Sequence, residues 1–119
     1  MEVERINDTQ HYEPPSEIYQ HLGLKDVQLG YFQFVQHRIK GLKSGDKLKL
    51  SSEGCSNLNG DLILKFSAGY QRNLDLLSKK GFISKQAKID FIVYWKGEGS
   101  DKEVMAVLPE IHFKKVTHY

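Results

Sequence analysis

The run Asp90-Phe91-Ile92-Val93-Tyr94-Trp95-Lys96 is the longest apolar stretch of the chain, and charge closes it at both ends. It has the length of a strand. A membrane helix needs about 20 apolar residues, so no membrane span is expected. Traced back to Ala87, the run alternates. Ile89, Phe91, Val93 and Trp95 form one face, while Lys88, Asp90, Ile92, Tyr94 and Lys96 form the other. A segment with this period commits the chain to building a sheet.

The remaining segments are read against that strand. Lys47-Leu48-Lys49-Leu50-Ser51 alternates cleanly, with leucines inward and lysines outward. Asp61–Phe66 reads as another strand, with Leu62, Leu64 and Phe66 on one face. Leu29–Lys40 is rich in aromatic and β-branched residues and is expected to be a long strand with apolar residues on both faces. Glu103–Leu108 and Ile111–Lys115 are expected to form a last strand, bent or interrupted near Pro109. After Phe66 the period changes. Tyr70, Leu74 and Leu77 make one helical stripe, Ser67 is the N-cap candidate, Lys79 and Lys80 occupy the last turn, and Gly81 terminates it. Ser16–Gly23 reads as a short helix, Ser52–Gly60 as a loop, and residues 1–15, ending in Pro14-Pro15, as an extended path.

The core order is therefore strand, strand, strand, helix, strand, strand. At 119 residues there is room for one domain. The expected fold is all-β with one helix: a five-stranded Greek-key barrel of the OB type, helix between strands 3 and 4. Residues 29–115 would form the barrel and residues 1–28 an acidic N-terminal segment carrying a short helix. A sheet with one packed helix, an α+β arrangement, needs the same elements and remains the alternative.

Charge sharpens the functional reading. The net charge is only +2, which by itself argues against a strongly basic nucleic-acid binder. Residues 1–20, however, hold five acids against one base, a net of −4, and residues 21–119 hold 16 bases against 10 acids, a net of +6. A field acts locally, so the basic body matters more than the average. Barrels of the OB type bind through the face of strands 2 and 3 and the loops joining strands 1–2 and 4–5. The first of those loops, with its flanks, contains Arg38, Lys40, Lys43, Lys47 and Lys49, with Asp46 the one acid among them. Near the second, Tyr94 lies between Lys88 and Lys96. Cations that follow phosphates, interleaved with aromatic rings that accept unstacked bases, are what single-stranded nucleic acid requires. Candidate platforms are Tyr31, Phe32, Phe34, Tyr94 and Trp95. Phe32, Phe34 and Trp95 have a second reading as core.

No catalytic or metal motif competes with this. His11, His21, His37, His112 and His118 form no ligand pattern, and no phosphate-cradling loop or nucleophile elbow is present. The single Cys55 has no CxxC partner, so no disulfide is expected and no cofactor is implied. No secretory signal is read at Met1–Arg5. A non-enzymatic, cytoplasmic protein is the expectation.

Gly30-Tyr31-Phe32-Gln33, Lys40 to Lys47, Gly60 to Phe66 and Ile92-Val93-Tyr94-Trp95-Lys96 resemble small single-stranded DNA-binding proteins of phages that infect lactic-acid bacteria. The resemblance lies in size, element order and texture over most of the chain. It implies an OB fold, homodimerisation, sequence-tolerant binding of single-stranded DNA in the host cytoplasm, and a role in phage DNA replication or recombination beside the phage's own replication or recombination proteins. The apolar residues on both faces of Leu29–Lys40 also suggest a homodimer. The alternative function is a protein-interaction module, such as a phage adaptor or an inhibitor of a host protein, supported by the acidic residues 1–20.

Overall fold

The computed structural model describes residues 16–97, 99 and 101–116. The expectation of an extended path for residues 1–15 lies outside them. The strands are β1 (Glu17–His21), β2 (Lys47–Leu50), β3 (Gly54–Ser56), β4 (Leu62–Lys65), β5 (Phe82–Lys96) and β6 (Glu103–Lys115). Two short 3-10 turns, Leu24–Asp26 and Leu29–Phe34, precede the one-turn helix α1 (Gln36–Ile39), and the longer α2 spans Ala68–Lys79. The six strands form one sheet in the order β1-β6-β5-β2-β3-β4. Every pairing in it is antiparallel.

The sheet curls into a half-barrel. Past β4 the chain meets the segment that follows β1: Val27 bridges Phe66, Gln28 N–H donates to the Lys65 carbonyl at 2.8 Å, and Ser67 N–H donates to the Asp26 carbonyl at 2.9 Å. The core is filled by Phe32, Ile39, Ile63, Leu64, Phe66, Ile89 and Ile111, all fully buried.

The fold is barrel-like and mostly β, as expected, and it differs in three elements. Leu29–Lys40 is not a strand. Phe32, Val35 and Ile39 are spaced three and four apart, and all three enter the core from 3-10 and α turns. That is a helical stripe, hidden in the sequence by β-favouring residue types. The dimer argument drawn from two apolar strand faces loses its basis, because the segment is not a strand and turns Phe32, Val35 and Ile39 into the core, leaving Phe34 outside. Ser16–Gly23 is not a helix. Glu17–His21 runs as β1 against β6, in the register Glu17↔Lys114 to His21↔Glu110. The Ser52–Gly60 loop contains β3. The strand count is therefore six rather than five, and α2 falls between β4 and β5 rather than between the third and fourth strands.

α2 follows the sequence reading. Ser67 Oγ accepts the Tyr70 N–H at 3.2 Å, Tyr70 and Leu77 are buried, and Gly81 takes a positive φ of 91° just beyond the end. β6 runs unbroken through Pro109. The proline's missing donor costs little where β1 ends, and its carbonyl still accepts the Leu22 N–H at 3.0 Å.

β1 is short, so on its side away from β5 the far part of β6 has no strand beside it. Gln36 substitutes for one. Its Oε1 accepts the Met105 N–H at 3.0 Å, and its Nε2 donates to the Met105 carbonyl at 2.9 Å. The same Nε2 also donates to the Phe32 carbonyl at 2.9 Å, which anchors the amide to its own turn. One side chain thus occupies the outward backbone groups of Met105, at an open sheet edge that would otherwise invite pairing with another chain.

Candidate nucleic-acid interface

Register decides which side chains meet on the convex side. β5 carries an extra residue between Ile89 and Phe91: Ile89 pairs with Pro109, Phe91 with Leu108, and Asp90 is the insertion. A bulge shifts the alternation by one. Ile89 therefore points into the core at 1% exposure, while Phe91 points outward at 59%. The expected single face of Ile89, Phe91, Val93 and Trp95 is split at this point. Phe91, Val93 and Trp95 share the convex side with Lys88. Tyr94 and Lys96 lie on the opposite side, so Tyr94 does not stand in one row with Lys88.

Across the strands, the convex side carries two aligned rows. One runs Tyr19, His112, Gln86, and the other His21, Glu110, Lys88, Lys47. In the first row the rings of Tyr19 and His112 stack with centroids 4.4 Å apart and planes 3° from parallel, and Tyr19 remains 57% exposed. In the second row, Lys47 sits directly across from Lys88. Two like charges in such a position repel. Lys88 is offset by Glu110 at 3.5 Å, whereas Lys47 and its face neighbour Lys49 make no ion pair among the described residues. His21 is held between Asp90 at 2.8 Å and Glu110 at 3.3 Å, and His112 lies 2.8 Å from Glu17. The convex side is thus a mixed surface with uncompensated cations along β2, stacked rings at β1 and β6, and Phe91 further along the hairpin.

The other expected site residues are distributed around this face. Lys40 and Lys43 are exposed in the turn before β2, which is fastened beside Asp90 by Ser44 Oγ donating to the Asp90 carbonyl at 2.7 Å. Arg38 is half-buried, and its Nη1 donates to the Leu62 carbonyl at 2.9 Å, so it serves as a tether to β4. Tyr31 is half-buried with Lys65 Nζ 4.9 Å above its ring. Phe34 is 74% exposed and Tyr94 70%. Phe32 is completely buried and is not a stacking platform. Trp95 is half-buried, its ring folded close to Gly97. Sequence reasoning missed Tyr19, Gln86 and His112. No local signal marks them, because residues 93 apart in the chain come together only through the β1–β6 register.

Cys55 is fully buried, and burial pushes its thiol up from the ordinary 9.0 to about 12. It is neutral in the native state near pH 7 and so a poor nucleophile. A thiol reagent at pH 8 is expected to react only as fast as the protein opens, and rapid stoichiometric labelling of the folded protein would contradict this placement. The same shift carries a pH sign. The native state holds the thiol proton more tightly than the unfolded chain, so this contribution to stability is full below about pH 9. It is lost as pH rises from 9 toward 12.

Among the described residues, no helix is long and apolar enough to cross a membrane, and no group of three or more His, Cys, Asp or Glu side chains is placed to hold a metal ion. No protein-family model, curated protein or solved structure matches the chain.

Proposed function

We propose that this protein binds single-stranded nucleic acid, DNA foremost, without reading its sequence, across the convex side of β1, β6, β5 and β2. The observation that carries the reading is the adjacency of exposed rings and uncompensated lysines on one face. Tyr19 stacked on His112 lies beside Gln86, the next row ends in Lys47, which with Lys49 makes no ion pair among the described residues, and Phe91 follows on the same side. Lysines along one edge follow a phosphate backbone, and rings along the face accept bases regardless of identity. β2, β3, β4, α2, β5 and β6 also keep the strand, strand, strand, helix, strand, strand order of an OB-type barrel, with β1 added in front. Support of phage DNA replication or recombination in the host cytoplasm, without catalysis, is the role this reading assigns.

Fluorescence anisotropy with labelled single- and double-stranded oligonucleotides tests it. The single strand is expected to bind at low salt and to weaken steeply as salt rises. Phe91→Ala should weaken all sequences alike, by on the order of 1–3 kcal/mol if a base stacks there. Lys47→Ala should reduce the salt slope by about 1. Absence of binding at low salt overturns the proposal, and preference for duplex replaces it with a different one.

A further inference from the structure

Two of the open stretches along this sheet are covered. The Gln36 amide bonds both outward backbone groups of Met105 on β6, and residues 26–28 pair with the end of β4. The outer edge of β1 differs. Leu22 N–H donates to the Pro109 carbonyl and Lys115 N–H to the Ser16 carbonyl, so residues 16, 18, 20 and 22 direct their backbone groups toward β6. By the alternation of an antiparallel ladder, Glu17, Tyr19 and His21 direct theirs away from it. Among the described residues nothing bonds to those outward groups. The strand contains no lysine, no proline and no bulge. An open groove borders its His21 end, lined by Gln20, His21, Lys25, Gly69 and Asn73.

We infer that β1 is a self-pairing edge, and that its partner is β1 of a second copy running antiparallel about a two-fold axis at Tyr19. The strand is self-complementary in that register. Tyr19 faces the partner's Tyr19, and Glu17 faces the partner's His21, as a symmetric contact requires. All three outward residues become hydrogen-bonded pairs, with on the order of six interchain N–H···O bonds. Charge matches as well. His21 already sits against Asp90 and Glu110, and Glu17 against His112. Joining the strands extends these contacts into one series across the axis: carboxylates, His21, the partner's Glu17, the partner's His112. The same joining places two stacked Tyr19–His112 pairs side by side on the convex face. The pairing itself does not depend on nucleic acid. A contact this short belongs with small, transient interfaces, so the association should depend on concentration in the micromolar range.

Sedimentation equilibrium combined with residue-resolved amide exchange, both without nucleic acid, tests the inference. A monomer–dimer equilibrium is expected, with the amides of Glu17, Tyr19 and His21 gaining protection as concentration rises. Tyr19→Pro removes an outward donor, together with the ring stacked on His112, and leaves the β6 pairing of Ile18 and Gln20 in place, so it should weaken the dimer at least about tenfold. Glu17→Lys places a cation opposite the partner's His21 and should also weaken it, which covers the case of Tyr19→Pro failing to fold by circular dichroism. A monomer at all concentrations overturns the proposal. So does protection of these amides that is independent of concentration, which would mean that the chain's own residues cover the edge. A dimer that is unchanged in both variants overturns it too.

Discussion

Replacing Phe32 with alanine is expected to destabilise the protein by about 3–5 kcal/mol, near the upper end for a single core truncation. The ring is completely buried, on a stripe with Val35 and Ile39 that closes the concave side between β4 and β6. Deleting it removes the transfer free energy of the whole ring. It also leaves a cavity that the 3-10 turn can only partly fill, because Gln36 holds that turn to Met105 and to the Phe32 carbonyl itself. Domains of this kind are stable by only about 5–15 kcal/mol, so the variant should unfold at a much lower urea concentration. Phe34, two residues on and 74% exposed, provides the control: Phe34→Ala should stay within about 0.5 kcal/mol of the parent. Nucleic-acid binding unaltered in Phe34→Ala but lost in a still-folded Phe32→Ala would restore Phe32 as a binding residue.

Gly54→Ala should be comparably severe, for the opposite reason. Gly54 is buried in β3 where it pairs with Lys65 of β4. An added Cβ would collide with the Leu64 carbonyl oxygen and lie 2.8 Å from the Leu64 carbonyl carbon and 2.9 Å from Lys65 Cα. These are backbone atoms, so no rotamer change relieves the clash and the two strands must separate. Overpacking in a well-filled interior costs about 1–3 kcal/mol, occasionally more, and a backbone collision belongs at the top of that range. The expected result is a loss of about 3 kcal/mol in urea titration. Exchange should also quicken at the amides of Cys55 and Leu64, which lie in the separated ladder. A loss below about 1 kcal/mol would mean that β3 and β4 are further apart than described.

Neither position is conspicuous in the sequence. Phe32 lies in a segment whose aromatic and β-branched composition favours a strand. The three-and-four spacing to Val35 and Ile39 was present but outweighed. Gly54 lies among serines and glycines that read as a loop. In both cases the deciding contact comes from a partner distant in sequence: β6 and Gln36 for the first, β4 for the second. The candidate interface divides in the same way. Lys47 and Lys49 were readable as outward because β2 alternates without interruption. Phe91 was not, because the Asp90 insertion that turns it outward leaves no trace in the apolar pattern.

What the sequence alone determined is what short-range periodicity and capping can encode: β2 with its outward lysines, α2 from its Ser67 cap to the Gly81 terminator, the Ala87–Lys96 part of β5, and the two halves of β6 on either side of Pro109. These signals need only neighbours within one turn or one pleat. The tertiary structure decided the rest. Pairing with β6 made Glu17–His21 a strand where its local signals favoured a helix, and packing across the concave side made Leu29–Ile39 helical. The β5–β6 register placed the bulge, chose which aromatic rings face outward, and brought Tyr19 against His112. Each of these outcomes depends on which strand lies alongside, a property of the assembled sheet that no single segment carries.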